Sequence, residues 1–471
     1  MRAVQSLEMA RLLAFLVLAI CLSAAERPPV YVALWFDTED YVLPAADDAA
    51  LRIATDLTAL DVRGTFKMVA EKARVLERRN RRDVIRALAL HDIGYHSENH
   101  SMPPAPAVYL NGLGYYEGAA EFERREGPGA VEVRRIFGVV PSCYGQPGSS
   151  WGPQTNLALR RMGIPVYLDE GTQVSLNDQP FWYGGLLYAF HMGPFQIRAS
   201  LEPGASAAKD IAEFDAAAAE LERRGGGLIS IYYHPTEFVT TEFWDGVNFS
   251  RGASREPSEW KMPHRRTPED SERCYGLLRA YVAHARKRPG VRFVTARDLA
   301  QIYASPDPPR VDAVKVREHL SGGITFLDTP AGALSPAEML QVLLGLEPRV
   351  VEGPEARRES TMRAARIPLV AFERARKDAA GFIRTQKALP SRVWIGSVRL
   401  SLADFTATLA GDDGVSREVE VRKGSLLFEK HFATDARRAF SWPIHPDGFN
   451  PVGLLELGRL QGWTLKPARL R

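Results

Sequence analysis

The residues best suited by type and spacing to act together are in His96-Ser97-Glu98-Asn99-His100. Histidines four apart fall on one face of a helical turn, where i and i+4 side chains are neighbours, so both imidazoles can reach one metal ion. Two imidazoles leave the coordination sphere of a divalent ion unfilled. An ion used for hydrolysis needs at least one more protein donor, commonly a carboxylate, and an open position for water or substrate. Phe36-Asp37-Thr38-Glu39-Asp40 offers such carboxylates. This acidic cluster follows the apolar run Val30-Tyr31-Val32-Ala33-Leu34-Trp35 and so sits where a buried strand would end. In parallel α/β folds that edge carries the chemistry.

Together with three later stretches, these two resemble the motifs of the polysaccharide deacetylase family, the NodB-type esterases and amidohydrolases of carbohydrate esterase family four. The family's first motif ends a strand with Asp-Asp or Asp-x-Glu/Asp, and its second is His-Ser/Thr-x-x-His; both occur here in that order. Tyr144-Gly145-Gln146-Pro147-Gly148 looks like the third motif, Leu168-Asp169-Glu170-Gly171 like the fourth and Ile231-Tyr232-Tyr233-His234-Pro235 like the fifth. The resemblance spans roughly residues 28–303. It implies a divalent metal ion, with zinc expected, held by His96, His100 and a carboxylate of the first motif. Asp37 is implied as general base. Thr38 occupies the next position, so the third ligand is Glu39 or Asp40, and similarity to relatives spelling Asp-x-Asp or Asp-x-Glu favours Glu39. His234, at the end of an apolar run, is expected as general acid, because an imidazole can protonate an amine or alcohol leaving group near neutral pH. Asp169 matches the Asp that supports the catalytic groups. Gly145 departs from the pattern: it stands where relatives usually have an Arg that holds the catalytic Asp. Gln146 is the nearest candidate to donate to Asp37 instead. Substrate contacts are expected from Gln146, Pro147, Trp151 and Trp244, the last in the loop 240–266 that also carries Phe243, Phe249 and Trp260, since aromatic faces can stack on sugars.

The elements that must position these groups follow from periodicity. Short β-rich runs at 30–36, 64–68, 92–95, 141–144, 165–168, 228–233 and 292–294 alternate with helical patterns at 46–60, 70–89, 118–137, 154–162, 209–224 and 268–288. Such alternation predicts an α/β fold with parallel strands joined by crossover helices. About seven strands suit a distorted, incomplete (β/α) barrel, the architecture the resemblance implies, with an open doubly wound sheet as the alternative. Asp37, His96, Pro147, Asp169 and His234 all lie at or just after the C-terminal ends of different strands, which a ring would bring to one mouth.

Composition bounds the rest. With 471 residues, 45% hydrophobic and 25% charged, the chain is ordinary globular material, enough for more than one domain. A formal net charge of +3, with no basic helix or aromatic RNA-binding motif, argues against a nucleic-acid partner. Arg2 and Arg11 precede an apolar run at 12–22 and the small residues Ser23-Ala24-Ala25, so residues 1–25 read as a secretory signal and the mature chain begins near Glu26. The run falls short of the roughly 20 residues that cross a bilayer, and no integral membrane span is expected after cleavage. Cys143 and Cys274 then remain, and their spacing does not decide whether they pair.

A barrel domain is expected over 26–304, a linker opened by Ser305-Pro306-Asp307-Pro308-Pro309 over 305–322, and a smaller, mainly helical accessory domain over 323–471. There Leu334-Ser335-Pro336-Ala337-Glu338-Met339 is echoed by Leu400-Ser401-Leu402-Ala403-Asp404-Phe405, each Ser reading as a helix N-cap with an acid three residues on. Leu389-Pro390-Ser391-Arg392-Val393-Trp394-Ile395-Gly396 resembles the pseudomurein-binding type of repeat, which implies cell-wall material as a partner. The expected activity is removal of acetyl groups from an N- or O-acetylated saccharide by a secreted, periplasmic or envelope enzyme. A hydrolase of non-peptide C–N bonds in small molecules, and a carbohydrate-binding protein with a decayed site, are the alternatives.

Overall fold

The computed structural model describes residues 27–303, 307–412 and 414–471. The expected signal segment and residues 304–306, which straddle the expected boundary between barrel and linker, lie outside the described residues.

Nine strands form the main sheet before its last member joins from the far end of the chain: β1 (Val30–Thr38), β2 (Thr65–Met68), β3 (Asp92–Tyr95), β4 (Cys143–Tyr144), β5 (Val166–Leu168), β6 (Phe181–Tyr183), β7 (Leu186–Ala189), β8 (Gly227–Tyr233) and β9 (Val291–Val294). β1 is buried along nearly its whole length, the signature of a parallel strand covered on both faces. One edge of β1 pairs with β8 over Val30–Phe36. The other is shared, by β9 at Val30–Ala33 and then by β2 at Trp35–Thr38. From β2 the parallel order runs through β3, β4 and β5 to β7. Past β7, a single bridge between Gln196 and Ser230 ties the chain back to the free edge of β8, so the ring closes there only. The result is a distorted, incomplete α/β barrel.

Eight strands of the ten pair in parallel, against about seven expected; β6 runs against them, the final strand pairs antiparallel with β6, and neither of these nor β7 has a counterpart in the sequence reading. The β6–β7 hairpin turns on Gly184-Gly185, a two-residue hairpin signal flanked by aromatic and aliphatic residues. The helices lie close to their expected positions, among them Ala45–Ala59, Tyr115–Phe137, Ala207–Arg223 and Pro268–Lys287. The pattern at 70–89 forms two helices rather than one, Ala70–Arg78 and Arg82–Leu88, because Asn80 adopts a left-handed φ of 53° between them.

The C-terminal region is mainly helical, with three two-stranded sheets. β10 (Leu327–Thr329) pairs with β11 (Gly332–Leu334), β12 (Arg366–Pro368) with β15 (Glu418–Glu420), and β13 (Arg392–Ile395) with β14 (Val398–Ser401). Ser335 and Ser401 cap the helices that come after two of these hairpins, each accepting the N–H of the third residue on. This region is also part of the barrel. Its last strand, β16 (Lys466–Pro467), adds to β6, and the buried Lys466 ammonium lies 2.7 Å from Glu338. Cys143 and Cys274 are both buried free thiols. Among the described residues, no helix is long and apolar enough to cross a membrane.

Candidate active site

Because the strands run parallel, their C-terminal ends deliver side chains to one mouth. Asp37 ends β1, Lys67 lies beside it on β2, and His96, Gly145, Asp169 and His234 directly follow β3, β4, β5 and β8. Asp37, His96, Asp169 and His234 line a cavity of about 380 Å³ whose walls also carry Trp35, Tyr232, Phe243 and Trp442.

Three donors converge on its floor. Glu39 Oε2 lies 2.8 Å from His100 Nε2 and 3.2 Å from His96 Nε2, and the three donor atoms are within 4.8 Å of one another. Each group is oriented from behind. His96 Nδ1 is 3.0 Å from the Gly145 carbonyl oxygen. His100 Nδ1 is 2.6 Å from Ser101 Oγ, which donates to Asp245 Oδ2 at 3.0 Å. Trp244 Nε1 donates to Glu39 Oε1 at 2.9 Å. Imidazoles whose Nδ1–H is spent on a second partner present Nε2 as a lone-pair donor, so this set fits a divalent cation. The charges agree. Burial would raise the Glu39 pKa, but His100, His234 and His96 hold it well below the usual carboxylate range. Burial lowers the His96 pKa against the pull of Asp37 and favours the neutral ring a metal requires.

The loop carrying both histidines is not the expected helical turn. Ser97 and His100 take left-handed φ values of 70° and 54°, each costing on the order of 1–3 kcal/mol. Tertiary bonds hold it there. The Ala70 and Glu71 N–H groups, at the start of the helix Ala70–Arg78, donate to the carbonyl oxygens of Ser97 and Glu98, both at 3.0 Å, using donors a helix start leaves without intrahelical partners. The Glu98 N–H donates to Glu126 Oε2 at 2.7 Å, and the His100 N–H to Ser97 Oγ at 3.0 Å.

Several other expected site residues sit elsewhere. Asp40 does not join the histidines: Oδ1 accepts the Val42 and Leu43 N–H groups and Oδ2 accepts Thr236 Oγ1, so the carboxylate closes a turn. Gln146 lines the cavity without touching Asp37, its Oε1 accepting the Tyr167 hydroxyl and its Nε2 donating to the Gly148 carbonyl. Pro147 is buried beside the cavity, not on its wall. Trp151 is buried against Tyr183, and Trp244 is buried behind Glu39, so neither presents a face to a substrate.

The cation beside Asp37 is Lys67. Its ammonium lies 2.8 Å from Asp37 Oδ1 and donates to Asp169 Oδ2 at 2.8 Å, with no side-chain exposure. Burial would lower the Lys67 pKa, but Asp169 and Asp37 raise it, and the group stays charged. Burial pushes Asp169 up to about 7, with Lys67 opposing and Asp37 adding to the rise. Across the mouth, His234 Nε2 is 3.6 Å from Asp37 Oδ2, and its Nδ1 is 3.2 Å from Glu237 Oε2. Burial would depress His234, but the Glu39, Glu237 and Asp37 carboxylates outweigh it and raise the imidazole to about 9. Arg198 pairs with Glu237 at 2.6 Å and holds that carboxylate in place.

No family model matches the chain, and no curated protein matches it. Its solved structural neighbours include polysaccharide deacetylases. A polysaccharide deacetylase from Mycobacterium smegmatis is 16% identical, with 59% of this chain and 92% of that one covered at a TM-score of 0.39. A family 4 acetyl xylan esterase from Clostridium thermocellum, determined with a cobalt ion, is 16% identical over 57% of this chain and 90% of its own, at a TM-score of 0.30. Puue allantoinase is 14% identical over 59% and 91%, at 0.38. Likenesses at these identities and scores do not assign an activity to this chain.

Lys67, Ser101, Glu237, Asp245 and Trp442 are absent from the sequence reading of the site. Lys67 had a signal: in Thr65-Phe66-Lys67-Met68 a lysine occupies the middle of a short strand, and a charge at a core position marks a functional candidate. Trp442 had none. It arrives from the far C-terminal region, where its Nε1 donates to Asp245 Oδ2 at 2.7 Å.

Proposed function

We propose that the protein is an exported, metal-dependent hydrolase that removes acetyl groups from an N- or O-acetylated saccharide. The observation that carries this reading is that one cavity joins three cation donors, Glu39, His96 and His100, to two proton-transfer groups that lie outside that set, Asp37 and His234. When bound there, a divalent ion would polarise the acyl oxygen and make its water more acidic. Asp37 takes the proton of the attacking water as the C–O bond forms at the acyl carbon. His234, cationic at neutral pH, returns a proton to the departing nitrogen or oxygen as the C–N or C–O bond breaks.

The wall residues favour a sugar. The part-exposed rings of Tyr232, Phe243 and Trp442 offer aromatic surface, and about 380 Å³ is at the small end for a ligand pocket, suited to a chain end or side branch. Trp442→Ala is therefore expected to raise KM for an acetylated oligosaccharide about tenfold with kcat nearly unchanged, the loss of one aromatic contact of roughly 1.4 kcal/mol; steady-state kinetics check it. Glu237→Gln removes a carboxylate that raises the His234 pKa. The protonated imidazole is then lost at lower pH, so the alkaline limb of the kcat/KM profile should move downward, and an unmoved limb would place the acid elsewhere.

Acetate release from a panel of N- and O-acetylated glycans, oligosaccharides and small acyl amides, with and without chelator, tests the reading as a whole. Release from no member with the metal-loaded protein overturns it, and release from small amides alone moves the activity to small molecules. The N-terminal residues 1–25 support export, and sequencing the N-terminus of protein recovered from outside the cytoplasm tests that part.

A further inference from the structure

We propose that Lys67 is the positioning residue of this site: its buried ammonium holds Asp37 and Asp169 on one cation and so fixes the direction in which Asp37 faces the cavity. The inference rests on the assignment of Asp37 as general base. Lys67 lies in register with Asp37 on the adjacent strand and with Gly94 on the next. Its side chain threads between two glycines. A Cβ at Gly94 would come within 2.9 Å of Lys67 Cγ, and a Cβ at Gly145 would collide with both Nζ and Asp169 Oδ2. A side chain at 145 would occupy the path of the lysine, whereas one at 94 would meet Cys143 Sγ first and Lys67 second, so Gly145 is the glycine this placement requires. The Trp35 ring, 4.1 Å from Nζ, covers the ammonium on another side.

Nothing else on the described residues could hold Asp37 this way. Its Oδ1 has only Lys67 and, at 3.7 Å, His96 Nε2 near it, and its Oδ2 only His234 at 3.6 Å. Two buried carboxylates sharing a cation keep a fixed mutual geometry. Without the cation they repel and turn apart. A general base displaced by about 1 Å loses on the order of 100-fold in rate, while substrate binding on the aromatic walls is untouched.

Lys67→Met is expected to lower kcat about 100-fold with KM within about threefold, and Lys67→Arg, which keeps a cation between the two carboxylates, to retain at least tenfold more turnover than Lys67→Met. Crystal structures of the wild type and both variants read the positioning without needing a substrate: Asp37 and Asp169 should diverge in Lys67→Met and stay together in Lys67→Arg. An Asp37 side chain that keeps its orientation in Lys67→Met overturns the proposal. A displaced Asp37 with undiminished turnover leaves Lys67 as the positioning residue and instead overturns Asp37 as the base. Should Lys67→Met fail to fold, Lys67→Arg decides alone: a folded protein with Asp37 in its wild-type orientation supports the proposal, and one with Asp37 displaced overturns it.

Discussion

Asp37→Asn is expected to lower kcat by roughly 10²–10⁴-fold, the range that a positioned general base contributes, with KM and bound metal little changed. The amide has the shape of the carboxylate but cannot accept the proton of the attacking water. Asp37 lies outside the donor set of Glu39, His96 and His100, so its loss should leave the cation in place. The substitution also takes one of two carboxylates from the buried Lys67. Breaking a buried pair outright costs about 3–5 kcal/mol, and the cost here is smaller because Asp169 remains. Thermal melting therefore belongs beside the kinetics, with rates expressed per folded enzyme. Metal analysis completes the measurement. Wild-type turnover in Asp37→Asn would transfer the base role to another group.

His100→Ala is expected to abolish both stoichiometric metal and turnover after dialysis, and Glu39→Gln to weaken metal retention comparably. Each removes one of the three donors in the Glu39, His96 and His100 set. A structural ligand is worth several kcal/mol of metal binding, whereas its outer partner is worth less. Ser101→Ala leaves the His100 ring but removes the hydroxyl that links Nδ1 to Asp245, and should cost about 10–100-fold in affinity. A titration of divalent metal into the dialysed variants would show the gradation. If His100→Ala binds metal as the wild type does, Glu39, His96 and His100 are not the ligand set.

Legibility in the sequence tracked how local each feature was. β1, β8 and the long helices were readable because an apolar run or a 3.6-residue period is written in consecutive residues. Asp37, His96, Asp169 and His234 were readable as residues that end such runs, His100 by its spacing from His96, and Glu39 by resemblance to the family's first motif. The conformation joining His96 to His100 was not. Spacing alone suggested a helical turn, whereas the left-handed Ser97 and His100 are held by bonds from Ala70 and Glu71 and by one to Glu126. Likewise Gln146 was the nearest polar neighbour of Gly145 along the chain, and the cation that stands there comes from another strand.

The sequence by itself therefore determined seven of the barrel's strands, the order of the motifs and the groups able to do chemistry, because burial and periodicity act on neighbouring residues. The tertiary structure alone decided which of these groups meet. It turned Asp40 into a backbone turn and left Glu39 to the histidines, placed Lys67 between Asp37 and Asp169, buried Trp151 and Trp244, and brought Trp442 and β16 to a barrel that begins more than half a chain away. Such contacts depend on which side chains share a crowded interior, and residues distant along the chain carry no joint local signature of that meeting.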